Sequence, residues 1–136
     1  MVDRVGGMAI YIGEAATRSG LNVGTIRYYD SLGLLCHADR DSAGRRLFND
    51  DAVRWLVFLR QMRATGMPLD RLRGYITHRE SGADGVAGVL RVLGEHRNAM
   101  LTARAELDEC LATVEAKIVK YTGLARTGQG PGAPQV

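Results

Sequence analysis

The sequence predicts a mainly α-helical protein, a small head of short helices interrupted by one hairpin and followed by a single long helix. Three observations carry that expectation. Asn22 and Asn49 each stand before a run with apolar residues at helical spacing, where an N-cap belongs. Asp41-Ser42-Ala43-Gly44 is a turn cluster between two short stretches able to pair. Val86 to Tyr121 contains no proline and keeps a narrow apolar stripe throughout.

Taken in order, residues 1–9 read as a flexible leader, with Met8 as good a start as Met1, and patterning begins at Ile10. Gly13 to Ser19 is a short helix in which Ala15 and Ala16 allow close packing, and Gly20 ends it. Asn22 is placed to accept from the amide of residue 24 or 25, and Ile26, Tyr29 and Leu32 fall on one side of the helix it opens, which stops at Gly33. A short helix, a glycine turn and a second capped helix make a helix-turn-helix. Leu34 to Phe48 is the hairpin, a wing carrying Arg40, Arg45 and Arg46. Asn49 and Asp50 open a third helix with Val53, Leu56, Val57 and Leu59 on its buried side, Trp55 as a core or rim anchor, and Gly66 closing it. Pro68 suits the first turn of a fourth helix, whose inward face is Leu69, Leu72 and Ile76. The winged helix-turn-helix head therefore spans residues 10–80.

Residues 81–85 read as a linker and 86–121 as one helix of roughly 54 Å at 1.5 Å per residue. Gly88 and Gly94 each cost that helix about 1 kcal/mol relative to alanine. Its stripe includes Val89, Leu93, Met100, Ala103, Leu107, Cys110, Val114, Ile118 and Tyr121. A seam so narrow calls for a partner helix, and the same helix of a second copy is the simplest one, giving a two-fold homodimer with Leu93, Met100, Leu107, Cys110, Val114 and Ile118 at its interface. Residues 122–136, rich in Gly and Pro, read as a disordered tail.

Charge and composition narrow the function. The formal charge is +3, and residues 1–80 hold 12 Lys+Arg against 9 Asp+Glu, every one of the cations being Arg. Arginine suits bidentate contact with phosphate and guanine. No apolar run approaches a membrane span and no signal-peptide core is present, so a cytoplasmic protein without a membrane partner is expected. Cys36 and Cys110 form no C-x-x-C pair, which leaves neither a disulfide framework nor a zinc finger. No nucleophile and base motif or phosphate loop appears, the three histidines fall in unrelated segments, and neither an enzyme nor a bound cofactor or metal is expected.

Several segments together resemble the MerR family of transcriptional regulators, over Ile10 to Tyr121. They are Tyr11-Ile12-Gly13-Glu14-Ala15-Ala16, Thr25-Ile26-Arg27-Tyr28-Tyr29-Asp30, Leu32-Gly33-Leu34-Leu35, Gly44 with Arg46 through Asp50, and Arg63 through Leu69. The resemblance implies a dimer bridged by an antiparallel coiled coil, two recognition helices in successive major grooves of a pseudo-palindromic promoter, and an effector that makes the protein bend and untwist the DNA for RNA polymerase.

Within that frame Arg27, Tyr28 and Arg46 are expected on phosphates, with Arg18, Arg40 and Arg45 in support. Asn22, Val23, Gly24 and Thr25, at the start of the recognition helix, are the expected base readers. The family usually has an aromatic where Arg45 stands, so this wing is expected to grip by charge. Tyr29 is as well placed for the core as for DNA. Arg63 is the best phosphate candidate of the set Arg54, Arg60 and Arg63. The effector is unidentified. Cys110 on the apolar seam reads as a small buried hydrophobe. Cys36, with His37 beside it to lower its pKa, is a candidate thiol sensor. The compact form also resembles the thiol-based, aldehyde-responsive branch, whose sensing cysteine is replaced here by Gln61. An adaptor that uses its coiled coil and head for protein contacts is the competing class; it predicts dimerisation without nucleic-acid affinity.

Overall fold

The computed structural model describes residues 8–128 and 130. The head comprises α1 (Ile12–Ser19), α2 (Val23–Ser31), the antiparallel pair β1 (Asp39–Arg40) and β2 (Arg46–Leu47), α3 (Asp50–Ala64) and α4 (Leu69–Glu80). A 3₁₀ turn at Gly82–Gly85 then leads into α5 (Val86–Thr127). Two compact units divide α5 between them, one through Gly94 and the other from Glu95 onward.

The helix boundaries follow from local chemistry. Asn22 Oδ1 accepts from the Thr25 amide at 2.7 Å, and Asn49 Oδ1 from the Ala52 amide at 2.9 Å, so each asparagine satisfies an amide that the first turn leaves without a partner. Gly20 ends α1 with φ +78°, a left-handed conformation costly to any residue with a Cβ. The Arg60 side chain lies against the same glycine, and its Nε donates to the Ser19 carbonyl at 2.8 Å. Thus α3 closes the exposed carbonyl end of α1 and fixes the turn before α2.

The head has one core. Ile26 of α2, Leu34, Phe48, Leu56 and Leu59 of α3, Met67, and Leu72 of α4 are all at most 1% exposed. Trp55 is buried with them, and its indole Nε1 donates to the Leu34 carbonyl at 2.6 Å, anchoring the start of the wing segment to α3. At the other end of the wing, Ile10 and Phe48 exchange two backbone hydrogen bonds, at 2.9 and 2.8 Å.

The structure departs from the sequence reading in four places. Ala9, assigned to the leader, is buried, while residues 1–7 lie outside the described residues. Pro68 is the N-cap of α4 rather than a first-turn residue, with extended backbone at ψ 153°. The linker at 81–85 is a tight 3₁₀ turn with Gly85 buried. Finally α5 continues six residues beyond Tyr121, to Thr127, because Thr122 to Thr127 holds no proline and one glycine; Gly128, at φ +71°, follows the end. The rest of the expected tail, residues 129 and 131–136, lies outside the described residues.

Gly85 and Gly88 are explained by space. A Cβ on Gly85 would fall on the carbonyl oxygen of His78, and one on Gly88 on the His78 imidazole. Backbone cannot swing aside as a side chain can. Gly85→Ala is therefore expected to destabilise the head by about 1–3 kcal/mol. Gly74→Ala, inside α4 where a Cβ meets nothing within 4 Å, is expected to stabilise it by about 0.5–1 kcal/mol. Thermal melts of the two variants should move in opposite directions.

Candidate nucleic-acid interface

Because α2 buries Ile26 and Tyr29 in the core, helical periodicity turns Arg27 and Tyr28 outward; Tyr28 is 53% exposed. The alternative left open for Tyr29 is resolved in favour of the core. Among the described residues Arg27 forms no ion pair or hydrogen bond through its side chain. Gly24 is exposed beside it, and Val23 and Thr25 are half-buried. Asn22 is exposed, but its Oδ1 is engaged as the helix cap, which leaves its amide nitrogen for any base contact.

The wing is fastened to α2 by a carboxylate. Asp30, in the last turn of α2, accepts from Arg46 Nη2 at 2.7 Å and Nε at 3.2 Å, a two-pronged pair, and lies 3.7 Å from Arg40 Nη2. Arg46 Nη1 donates to the Ala38 carbonyl at 3.1 Å. Arg46 is thus half-buried and engaged on three sides, so its first task is to hold the wing. Arg40 donates across the hairpin to the Gly44 carbonyl at 2.6 Å.

A second network shapes the wing tip. Asp41 Oδ1 accepts from the Ala43 and Arg45 amides at 3.0 and 2.9 Å, and its Oδ2 accepts from Arg45 Nε at 3.0 Å and the Tyr11 hydroxyl at 2.9 Å. The Arg45 guanidinium lies 4.4 Å over the Tyr11 ring and donates to its hydroxyl at 3.1 Å. An aromatic does serve this wing, but it comes from the N-cap of α1. The backbone amide of Arg45, and to a lesser degree the Tyr11 hydroxyl, holds the Asp41 carboxyl below its usual value. Hydrogen bonding to Asp41, with desolvation next, pushes the Tyr11 phenol up.

Between α2 and the wing these groups line a cleft of about 390 Å³, walled by Arg27, Arg40, Arg45 and Arg46 against the single carboxylate of Asp30, with Tyr11 and Gly44 at its sides. Four guanidiniums, two of them paired with Asp30 and Asp41, leave the cleft with an excess of positive charge that can attract a polyanion. Arg18 and Arg63 are not among its lining residues. Arg18 pairs with Glu14 on the exposed face of α1 at 2.8 Å, and Arg63 donates to the Met67 carbonyl at 2.9 Å, stitching the α3–α4 corner.

Residues 10–79 match the MerR HTH family regulatory protein profile. The chain belongs to the MerR family. An HTH-type transcriptional regulator of Haemophilus influenzae is 31% identical over 79% of this chain and 80% of its own length. The uncharacterised HTH-type regulator YyaN of Bacillus subtilis is 25% identical over 88% of this chain and 96% of its own. The crystal structure of HiNmlR, a MerR family regulator lacking the sensor domain, bound to promoter DNA, superposes with a TM-score of 0.84 at 28% identity, covering 95% of this chain and 99% of that one. This MerR-family chain is accordingly a DNA-binding transcriptional regulator with a winged head and a long C-terminal helix. Among its described residues no helix is long and apolar enough to cross a membrane.

The cysteines of this MerR regulator look different in the structure than in the sequence. Burial pushes the Cys36 thiol above 9.0, and the opposing pull of the Arg79 guanidinium does not outweigh it. His37 is itself pushed down, by burial first and by Arg79 second, so it is neutral near pH 7 and supplies no charge to Cys36. The expected activation by His37 is therefore corrected; the cation beside the exposed Cys36 is Arg79. Cys110 is exposed on the single chain. Among the described residues no group of three His, Cys, Asp or Glu side chains is placed to hold a metal ion.

Sequence reasoning did not find Asp30, Asp41 or the Arg45 stacking role of Tyr11. The turn Asp41-Ser-Ala-Gly-Arg45 did hold a signal, since an aspartate at the head of a glycine turn commonly accepts from amides two to four residues on. A carboxyl held below its unfolded value of 3.8 stabilises the folded state above that pH, and the contribution disappears as the pH falls through the lower folded value. Asp41→Asn should thus melt below the wild type at neutral pH, and the gap should close on acidification below 3.8, as followed by circular dichroism.

Proposed function

We propose that the chain binds a pseudo-palindromic promoter operator as a homodimer and alters transcription by bending and untwisting the DNA in response to an effector, so that RNA polymerase can engage. The arginine cleft beside the outward face of α2 carries this reading. Arg27, unpaired among the described residues and next to exposed Tyr28, takes phosphate most directly, because no internal bond must break first. Arg40 and Arg45 lie on the wing, where they reach the adjoining backbone. Arg46 serves through Asp30, positioning the wing, and offers its remaining donors to phosphate. The first turn of α2, Asn22 to Thr25, enters the groove to read bases. Arg18 and Arg63 are peripheral supports whose present bonds, one exposed ion pair and one carbonyl contact, are weak enough to yield to phosphate.

The dimer reading rests on the second unit. Met100, Leu107, Val114 and Ile118 are between 40% and 68% exposed on the single chain, at intervals of seven, seven and four residues. Leu111 and Tyr121, 51% and 48% exposed, broaden the same apolar surface. Cys110 belongs to this seam as a small hydrophobe. Left in water such a surface is unfavourable, and pairing with a second α5 removes it. A two-fold pair of heads then matches half-sites one helical turn, about 34–36 Å, apart.

Mobility-shift titrations against promoter fragments at several salt concentrations test the interface. Arg27→Ala should weaken binding and lower the slope of log affinity against log salt by about 1 without changing the melting temperature. Arg46→Ala should weaken binding and also lower the melting temperature, because it strips Asp30 of its half-buried partner. Failure of a folded dimer to shift any promoter fragment at low salt would favour the protein-adaptor reading instead. Leu107→Lys places a charge on the seam, and sedimentation velocity should show it shifting the dimer towards monomer.

A further inference from the structure

Away from the arginine cleft, the head carries a second concavity of about 380 Å³, lined by His37, Asp51, Arg54, Trp55, Phe58, Tyr75 and Arg79. That volume lies within the range of roughly 300–1,000 Å³ typical of small-molecule sites. One side is aromatic: Trp55 stacks on Phe58 and on Tyr75, with ring centroids 5.2 and 5.9 Å away, and Phe58 and Tyr75 are 5.1 Å apart. The indole cannot rotate freely, since its Nε1 is bonded to the Leu34 carbonyl.

The other side is cationic. Arg54 is neutralised by its pair with Asp51. Arg79 forms no ion pair among the described residues; its guanidinium lies 5.5 Å from the Trp55 ring centroid and donates to His37 Nε2. Because arginine can only donate, His37 accepts through Nε2 and keeps its proton on Nδ1, which leaves the charge of Arg79 uncompensated. The low basicity of the half-buried, arginine-flanked His37 agrees with that assignment. A smaller cavity of about 200 Å³, lined in part by Cys36, Ile76 and Glu80, shares Arg79 and His37 with the first.

We propose that this cleft binds a planar aromatic carboxylate, its ring against the half-buried Phe58 and Tyr75, which the buried Trp55 backs, and its carboxylate on the Arg79 guanidinium. A flat ring suits the stacked wall, and one negative charge matches one uncompensated cation. A cationic ligand would meet Arg79, and a dianion would bring in one charge more than the site balances. The cleft touches the wing segment through His37 and also touches α3 and α4, so a bound ligand bears on the elements that set the wing. On the promoter-binding reading, on which this consequence alone rests, the ligand is the class of effector to which the regulator responds.

Isothermal titration calorimetry on the full chain, with benzoate and indole-3-acetate as probes and benzamide and cyclohexanecarboxylate as controls, tests the site without DNA. Saturable binding of one aromatic carboxylate per chain is expected. Affinity should fall about tenfold or more for benzamide, and for benzoate on Arg79→Gln, the loss expected for one charge-assisted contact. Cyclohexanecarboxylate should also bind more weakly than benzoate. Arg79 is exposed, so Arg79→Gln should retain the wild-type circular dichroism and melting. Absence of saturable heat at roughly millimolar probe, equal binding of benzamide and benzoate, or undiminished binding by folded Arg79→Gln would overturn the proposal. A promoter shift measured on the same preparation without probe separates failure of this site from failure of the DNA-binding reading.

Discussion

Asp30 is the residue on which the arrangement of α2 and the wing depends. One carboxylate in the last turn of α2 receives two hydrogen bonds from Arg46 and the flank of Arg40, both from the wing. The hairpin has only two residues in each strand, far too little backbone pairing to hold its own orientation. The Asp30–Arg46 pair supplies what the strands lack. With both side chains 26% exposed, it is dry enough for its charge-assisted bonds to contribute about 1.5–3 kcal/mol and wet enough to avoid the full desolvation penalty of a buried pair. Helix α2 and the wing are thereby fixed to each other by side chains.

The same logic runs through the remaining joints. Trp55 Nε1 to the Leu34 carbonyl ties the start of the wing segment to α3, and the Ile10–Phe48 bridge ties its end to the chain before α1. Arg60 to the Ser19 carbonyl ties α3 to the turn between α1 and α2. Each joint satisfies a backbone group that would otherwise be stranded at the end of an element. Apolar burial gives the head its stability, while these polar contacts select one geometry from the many that a core of Leu, Ile and Phe would tolerate.

Local chemistry was legible in the sequence and distant pairing was not. The caps at Asn22 and Asn49, the stop at Gly20, the turn at Asp41–Gly44 and the inward faces of α2 and α4 all follow from residues within one or two turns of each other. The family resemblance was legible for the same reason, being carried by short contiguous runs. Asp30 with Arg46 is separated by 16 residues, and Tyr11 with Arg45 by 34, distances at which neither periodicity nor turn chemistry carries information. Arg46 therefore read as one more phosphate ligand, when half of its chemistry is internal. The end of α5 was misjudged for a compositional reason: glycine and proline are dense after Gly128, and averaging across the segment hid the six helical residues before it.

The arginines of the arginine cleft and of α1 divide into two kinds by what contact with DNA would cost them. Arg27 gives up only water, since among the described residues it has no protein partner. Arg18 gives up a surface pair with Glu14, which is worth little. Arg45 must leave or share Asp41 while keeping its place over Tyr11, and Arg46 cannot leave Asp30 without releasing the wing. A phosphate at the cleft, on the proposed role, would meet a gradient, from cations that contribute their full attraction to cations whose attraction is offset by internal bonds. On the proposed promoter-binding role, affinity would come mainly from the first kind and orientation from the second. On that same role, a perturbation that moves the wing would leave Arg27 able to hold DNA while changing where Arg45 and Arg46 point, so that one head could stay bound as the geometry of its grip changes.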